Sequence, residues 1–297
     1  MAEAYHVAVD GGATGTRLLL AAADGTRLAR VETGPTSLTL RGPGAWRDIA
    51  AACECLRAEA GLAELSPARV GIGLGLAGAN NPALRDAFLA AAPPFARVTL
   101  ATDAHTACLG AHGGAPGCVL IAGTGSVGYR LRGDGSGRLA GGWGFPAGDG
   151  GSGARLGLAA VGQALVGVDS GAPSALDRAV WDALGGSRGA ALDWLHGASS
   201  TRFATLAPLV LAAAAAGDVD AVALAQEAGN ALAALATMLD PLGEAPLALV
   251  GGIAAPLRPF LPHGFAARLA TPRGDALAGA LLLARGSAPP ENIVTAS

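Results

Sequence analysis

A short glycine-rich turn near the start of the chain has the residue types that bind an anion. An apolar run ends in Asp10, and Gly11, Gly12 and Thr14 follow before a second apolar run begins. Glycines let the backbone come close to an anion, and a turn of this kind directs bare amides towards it. Asp10 could hold a metal near that anion, directly or through water. An Asp-Gly-Gly hairpin that binds nothing is the alternative interpretation.

A second turn of small residues lies between apolar runs in the segment 121–127, and it contains Thr124 and Gly125. The chain has no lysine, which excludes a Walker-type phosphate loop, because that loop needs a lysine after its glycines. If phosphates bind here, backbone amides and a metal must neutralise them. Two such turns indicate a site that is closed from both sides.

Composition and charge indicate a globular protein with a large core. The 297 residues suffice for two domains, and 51% of them are hydrophobic while 14% are charged. The net charge of −3 and the absence of a basic patch argue against a nucleic-acid partner. We expect no membrane span, since the alanine-rich run 206–216 is too short. The first six residues lack the basic start and apolar core of a signal peptide, so we expect a cytoplasmic protein.

The four cysteines do not have the spacing of a zinc site. Cys108 and Cys118 are expected to be buried free thiols, as are Cys53 and Cys55. The latter two lie two residues apart on a predicted helix, so they should point to different faces of it.

The hydrophobic pattern predicts the same succession of elements twice. In the first part we predict strands at 5–9, 17–22 and 27–32, a helix at 46–60, a strand at 70–76, a helix from 82 to about 92 and a strand at 98–101. In the second we predict strands at 118–122, 127–131 and 139–141, helices over 154–238, a strand at 247–250 and a helix at 275–285. A structured helix is expected near 104–114. Such a repeat predicts two related α/β domains with a ligand-binding cleft between them.

Six segments, taken in order, resemble the actin-like (ASKHA) sugar kinases. The resemblance is to the N-acetylglucosamine kinase and glucosamine kinase group, which is related to the BadF/BadG/BcrA/BcrD ATPases. The segments are 10–16, 100–112, 123–126, 141–153, 249–253 and 275–280. Each motif alone is a weak signal, but their order makes the resemblance specific, and it covers nearly the whole chain.

The resemblance implies two ribonuclease H-like domains with an interdomain cleft. Residues 1–112 would carry the first phosphate turn and the catalytic acid. Residues 113–297 would carry the second phosphate turn and the adenosine motif. The final helix, near 275–286, would pack back on the first domain.

The resemblance also implies ATP, Mg²⁺ and a set of residue roles. Asp103 would be the catalytic base that takes a proton from a sugar hydroxyl. Asp10 would orient Mg²⁺ through water. The residues implied to bind ATP are Gly11, Gly12, Thr14, Thr124, Gly125, Gly251 and Gly252. For Asp103 the alternative is a helix N-cap, and for the glycine pair 251–252 it is a simple turn at a helix start.

The sugar-binding residues implied by the resemblance are Thr36, Ser37, Asp103, Thr124, Trp143 and Asp149. Asp149 would accept hydrogen bonds from sugar hydroxyls, or it would cap the helix that follows. Trp143 would pack against a sugar face, or it would lie in the core. The chain departs from the family at Gly150, where a glutamate is common, and this leaves the sugar open.

These features predict an ATP-dependent amino-sugar kinase that phosphorylates the 6-hydroxyl of N-acetylglucosamine. Glucosamine or glucose as the acceptor is the first alternative. An ATP-binding protein of the BadF type that activates electron transfer is the second, and a non-catalytic sugar-binding regulator is the third. The expected partner is a small-molecule amino sugar, with no nucleic acid and no membrane. Relatives make a homodimer possible.

Overall fold

Two five-stranded sheets organise residues 5–293, which are the residues that the computed structural model describes. Residues 1–4, which contribute to the expectation of no signal peptide, lie outside them. The two sheets, together with the helices between their strands, confirm the predicted α/β fold class. The described chain forms two compact units: residues 5–119, 129–138 and 271–293 make the first, and residues 120–128 and 139–270 make the second.

The predicted elements are found with ends that differ by a few residues. The strands are β1 Tyr5–Gly11, β2 Thr16–Ala22, β3 Arg27–Thr33, β4 Val70–Leu76, β5 Arg97–Ala101, β6 Gly117–Ala122, β7 Ser126–Leu131, β8 Ser136–Gly141, β9 Leu247–Val250 and β10 Asn292–Ile293. The helices are α1 Leu38–Arg41, α2 Ala45–Glu59, α3 Pro82–Ala90, α4 Asp103–His112, α5 Gly153–Asp169, α6 Ala175–Ala183, α7 Arg188–Leu195, α8 Ser200–Ala204, α9 Ala207–Ala215, α10 Val219–Leu239, α11 Ala254–Leu257, α12 His263–Ala266 and α13 Ala276–Ala284. Three short elements, α1, α12 and β10, were not predicted, because two to four residues are too few for a periodic pattern.

The first sheet has the strand order β3-β2-β1-β4-β5. Strands β1, β2 and β3 are antiparallel neighbours, whereas β4 is parallel to both β1 and β5. The second sheet has the order β10-β8-β7-β6-β9. Its run β8-β7-β6-β9 repeats the order of β3-β2-β1-β4, which agrees with the predicted repeat of one α/β unit.

Glycines on one face of β4 let two helices of the first unit come unusually close. A Cβ on Gly73 would lie 2.2 Å from the carbonyl oxygen of Ala280 in α13, and one on Gly75 would lie 2.0 Å from Oγ1 of Thr106 in α4. Any side chain at these positions would push the helices away. Because α4 begins at Asp103, this close packing also determines where the predicted catalytic acid lies.

The other face of the first sheet carries the hydrophobic core of the first unit. Trp46 of α2 stacks on Phe88 of α3, with 4.4 Å between ring centroids, and its indole N–H donates to the Phe88 carbonyl oxygen at 2.7 Å. Both rings are buried, as is Leu74 of β4. Burial of these large side chains supplies the main favourable term for folding this unit.

Helices make up most of the second unit. Helix α5 packs against α6, α8, α9 and α10. Among the described residues, α10 is the one helix long and apolar enough to cross a membrane by length and composition. The sequence pattern had not singled it out. One such helix is weak evidence for a span, and α10 packs against α5 and α9 within its unit.

The cysteines are free thiols, as predicted. Cys53, Cys108 and Cys118 are buried, whereas Cys55 is exposed, so the expectation of burial was wrong for that one. Cys53 and Cys55 do point to different faces of α2. Burial raises the pKa of the Cys53 and Cys108 thiols to about 12, which keeps them protonated and unreactive near neutral pH.

Candidate active site

The first glycine-rich turn joins β1 to β2 in the first unit. The N–H of Gly12 donates to the carbonyl oxygen of Gly15 at 3.0 Å, which closes the turn. Thr14 is exposed at its tip, whereas Gly11 is buried at its base. The predicted turn is therefore present, with a tip that is accessible to an anion.

Thr36 and Ser37, which follow β3, hold this turn through hydrogen bonds. The Thr36 hydroxyl forms a 2.8 Å hydrogen bond with the Thr16 hydroxyl, and the Ser37 N–H donates to the Gly12 carbonyl oxygen at 3.2 Å. Both residues are buried. Their observed contacts are thus with the phosphate turn, and contact with a sugar remains a prediction.

Asp10 is paired with Arg17, directly opposite it across the β1–β2 hairpin. The Arg17 guanidinium donates from Nε to Oδ2 of Asp10 at 3.1 Å, and from Nη1 to Oδ2 of Asp275 at 2.9 Å. Burial raises the pKa of the Asp10 carboxyl, while Arg17 opposes that rise. The sequence interpretation missed Arg17, although an Asp and an Arg at equal distances from a tight turn must oppose each other in a hairpin.

The residues near Asp10 fit a Mg²⁺ ion that is held mainly by nucleotide and water. Both Arg17 hydrogen bonds to this carboxylate go to Oδ2. Residues 5–293 contain no group of three or more His, Cys, Asp or Glu side chains that could hold a metal. Mg²⁺ commonly uses one or two carboxylates together with substrate phosphates and several waters. One half-buried carboxylate beside a glycine-rich turn is compatible with that mode.

Asp103 begins α4 but does not cap it. Thr102 is the N-cap, and its hydroxyl oxygen accepts the N–H of His105 at 3.1 Å. The alternative of Asp103 as the N-cap is therefore wrong. Oδ1 of Asp103 accepts the N–H of Ala104 at 2.9 Å.

The electrostatic environment of Asp103 suits a base. Burial raises its pKa from 3.8 to about 6, and the negative charges of Asp10 and Glu291 add to the rise. A carboxylate with this pKa is ionised at neutral pH and is a stronger proton acceptor than an ordinary aspartate. Asp10 and Asp103 both belong to the first unit, and the charge of Asp10 acts on Asp103.

The histidines that follow Asp103 on α4 are structural, as predicted. Nδ1 of His105 lies 2.7 Å from the Tyr129 hydroxyl, and Nε2 of His112 lies 2.8 Å from the Cys118 carbonyl oxygen. Both histidines are buried, and burial lowers the pKa of His105 to about 4.

The second small-residue turn, residues 123–125, belongs to the second unit and is hydrogen-bonded to the start of α5. The Gly123 N–H donates to the Gly125 carbonyl oxygen at 2.9 Å. At the start of α5, the N–H of Gly153 donates to the Gly123 carbonyl oxygen at 2.8 Å, and that of Ala154 to the Thr124 carbonyl oxygen at 3.2 Å. These bonds hold Thr124 and Gly125 in a defined turn, as predicted for a phosphate-binding element.

Asp149 lies beside this second turn. Its Oδ1 accepts the Ser126 N–H at 3.4 Å, and a Cβ at Gly125 would be 3.0 Å from its Oδ2. Ser152 caps α5 by accepting the Arg155 N–H at 3.2 Å, so the capping alternative for Asp149 is wrong. The half-buried Asp149 adopts a φ of 61°, which is unusual outside glycine. Such strain is frequent at functional sites.

Trp143 is the most exposed large apolar side chain among the described residues, with 89% of its surface accessible. The core-packing alternative is therefore wrong. Its loop is anchored by a 2.7 Å hydrogen bond from the Gly148 N–H to the Gly144 carbonyl oxygen. An indole on an anchored loop leaves a flat apolar face free for a ligand.

Gly251 and Gly252 follow β9 and differ in their surroundings. Gly251 has a φ of 108°, and a Cβ there would lie 2.3 Å from the Ala122 carbonyl oxygen. Gly251 is therefore required by the packing of the turn on β6. Gly252 is exposed, and a Cβ there would meet no atom within 4 Å. Gly252 is thus the position of the pair that is open to a nucleotide.

Gly150 is exposed at the position where a glutamate is common in the family. Its carbonyl oxygen accepts the Ser126 hydroxyl at 2.7 Å, which links it to the second phosphate turn. A Cβ at Gly150 would lie 3.3 Å from Cβ of Ala231 in α10. No other atom outside its chain neighbours lies within 4 Å of that Cβ, so a shift of a few tenths of an ångström at Ala231 would admit a larger side chain.

Comparison with known proteins shows which family the chain belongs to. The model of the BadF/BadG/BcrA/BcrD ATPase family matches residues 7–261. The glucosamine kinase GspK of Vibrio cholerae is 32% identical over 281 residues, which cover 94% of this chain and 95% of that protein. The crystal structure of a Chromobacterium violaceum protein assigned as an N-acetylglucosamine kinase has a TM-score of 0.90 at 46% identity, covering 94% of this chain and 98% of that chain.

A more distant structure shows the same fold. The ROK family glucokinase of Streptomyces griseus, solved with glucose and AMPPNP, has a TM-score of 0.53 at 22% identity, covering 95% of this chain and 99% of that chain. Two five-stranded sheets that share a strand order, each with a small-residue turn after its first strand in the chain, are typical of the actin-like ATPase fold, to which this protein belongs. More particularly, the chain belongs to the BadF/BadG/BcrA/BcrD ATPase family, as the resemblance implied, and its nucleotide is ATP.

Proposed function

We propose that the protein is an ATP-dependent kinase that transfers a phosphoryl group to the 6-hydroxyl of N-acetylglucosamine. The observation that carries this proposal is Asp103, a half-buried carboxylate at the start of α4 whose pKa of about 6 suits a base. Family membership and the two amino-sugar kinases among the relatives support it. Phosphoryl transfer depends mainly on positioning and charge neutralisation, with one group to accept the hydroxyl proton.

Asp103 takes the proton of the 6-hydroxyl as that oxygen attacks the γ-phosphorus of ATP. The bond between the γ-phosphorus and the β–γ bridging oxygen breaks, and ADP leaves. In the first unit, the turn of Gly11, Gly12 and Thr14 directs its amides at the phosphates. Asp10 would hold Mg²⁺ through water, and Arg17 keeps the Asp10 carboxylate in place. When bound, the metal neutralises phosphate charge.

In the second unit, Thr124 and Gly125 bind phosphate, and Gly252 lets the adenosine approach the backbone, with Gly251 shaping the turn. Trp143 packs on a face of the sugar, and Asp149 accepts hydrogen bonds from sugar hydroxyls while it braces the second phosphate turn. Thr36 and Ser37 complete the sugar site from beneath the first turn. Thr124 contributes to both the sugar and the phosphate contacts.

Three further expectations belong to this proposal. The chain divides functionally into ribonuclease H-like domains at 1–112 and 113–297, with the final helix on the first domain. The protein works in the cytoplasm. A homodimer, which is usual among relatives, is the third expectation.

A coupled ADP-release assay with magnesium-ATP tests the proposal directly. N-acetylglucosamine, glucosamine, glucose and N-acetylmannosamine should be compared as acceptors. We expect turnover to be far highest with N-acetylglucosamine. A maximum with glucosamine would correct the substrate and keep the mechanism. No turnover with any sugar, in a protein that binds ATP, would refute the kinase assignment and favour the regulator.

A further inference from the structure

A buried carboxylate near the C-terminus contacts the residue that precedes Asp103. Oε2 of Glu291 accepts the backbone N–H of Thr102 at 2.7 Å, and Oε1 accepts the Thr102 hydroxyl at 2.6 Å. The two residues are separated by 189 positions, and both are buried. Hydrogen bonds to an ionised acceptor are short and strong, and both of these contacts have short distances.

The contact uses the polar groups of Thr102 almost completely. The Thr102 hydroxyl donates to Glu291 while its oxygen accepts the His105 N–H at 3.1 Å. The Thr102 carbonyl oxygen accepts the Thr106 N–H at 3.2 Å. Thr102 is therefore held on both sides, by α4 and by Glu291. A shift of Glu291 would therefore move Thr102, which directly precedes Asp103 at the start of α4.

The segment that carries Glu291 is itself anchored. Asn292 begins β10 and pairs in parallel with Ser136 of β8. Burial raises the pKa of the Glu291 carboxyl, while its hydrogen bonds from Thr102 and the positive charge of Arg85 oppose the rise. Two donors on a single carboxylate suit its ionised form, since a protonated acid would place its own hydrogen against one of them.

We propose that Glu291 is a positioning residue for phosphoryl transfer, which holds Thr102 from the C-terminal segment and thereby aims the Asp103 carboxylate. This inference rests on the proposed role of Asp103 as the base. Glu291 does not touch the substrate in this mechanism. It acts through the start of α4, and its negative charge adds to that of Asp10 in making Asp103 a better proton acceptor.

The experiment compares Glu291→Ala, Glu291→Gln and the wild type in steady-state kinetics over pH 5–9. Glutamine can still accept the Thr102 N–H, but it has no charge. We expect Glu291→Ala to lower kcat by roughly 10–100-fold with little change in the KM for ATP, because misplaced reacting groups cost rate rather than affinity. Glu291→Gln should recover most of kcat, while the acid limb of kcat/KM moves to lower pH.

Asp177→Asn is the matched control. Asp177 is also a buried carboxylate, and it accepts a backbone N–H at 2.8 Å, from Ser174 in the capping box of α6. It lies in the second unit and has no role in the mechanism. We expect this variant to lose stability while its pH profile stays that of the wild type.

The inference would be overturned if both Glu291 variants kept the wild-type kcat and if the acid limb of kcat/KM stayed at its wild-type pH in both. Should Glu291→Ala fail to fold, an unchanged acid limb in Glu291→Gln would overturn it equally. A ¹³C NMR titration of the Asp103 carboxyl in the wild type and in Glu291→Gln provides a readout that needs no turnover. A wild type inactive on every sugar would refute the proposed function, whereas the titration would still report whether Glu291 acts on Asp103.

Discussion

Replacement of Asp103 by asparagine should make the protein more stable and nearly inactive. Burial, together with the charges of Asp10 and Glu291, raises the pKa of Asp103 from 3.8 to about 6. The folded state therefore favours the neutral form of the Asp103 carboxyl over its charged form. Asparagine has nearly the same shape, has no charge to desolvate, and can still accept the Ala104 N–H.

The size of the effect follows from the raised pKa. Each pKa unit corresponds to about 1.4 kcal/mol, so the ionised Asp103 costs the folded state about 3 kcal/mol. The sign follows from proton binding, because the folded state holds its proton to higher pH than the unfolded state. The cost is absent below pH 3.8, grows as pH rises towards 6, and is fully present above that value.

Urea unfolding at several pH values between 4.5 and 8 measures this effect. We expect Asp103→Asn to raise the free energy of unfolding by up to about 3 kcal/mol at pH 8, with a gain that shrinks towards pH 4.5. The same variant should lose roughly 10²–10⁴-fold in kcat while it still binds ATP. A variant that is less stable at pH 8, or one that keeps near-normal turnover, would refute this account of Asp103.

Two further predictions concern the second unit. Trp143→Ala should raise the KM for the sugar by roughly 2–10-fold, because the contact between the indole ring and the sugar is lost. The melting temperature should stay unchanged, because the indole is exposed. An unaltered KM would remove Trp143 from the sugar site. Gly251→Ala should destabilise the protein by about 1–3 kcal/mol in urea unfolding, because its φ of 108° and the nearby Ala122 oxygen exclude a Cβ. Gly252→Ala is the matched control, and it should keep wild-type stability while its KM for ATP rises. If Gly251→Ala and Gly252→Ala were equally stable, the argument that Gly251 is packed against Ala122 would be contradicted.

Local pattern was enough to predict most of the elements and both turns. The alternation in β4 and the three- and four-residue spacing in α2 lie within short windows of sequence, as do the glycines of the turn between β1 and β2. Thr102-Asp103 could be placed at the end of a strand for the same reason. Which of these two residues caps α4 depends on the backbone angles at the helix start, and the structure was needed to assign the cap to Thr102.

Burial was the property that sequence predicted least well at the candidate site. Trp143 could have been a core residue or a ligand contact, and Cys55 was expected to be buried. A single aromatic or thiol carries no periodic signal of its own, so its exposure depends on which neighbours the fold brings near it. The structure exposes both side chains, and it buries Thr36 beneath the phosphate turn.

The sequence by itself determined the repeated α/β pattern, the two small-residue turns and the positions of the acids Asp10 and Asp103 at strand ends, because each is encoded by residues that are neighbours in the chain. Tertiary structure alone decided that Glu291 holds Thr102 and that Asp275 shares Arg17 with Asp10. These contacts join residues that are 189 and 258 positions apart. No local periodicity specifies such a pair, since it forms only when the packed sheet and helices bring distant segments within hydrogen-bond distance.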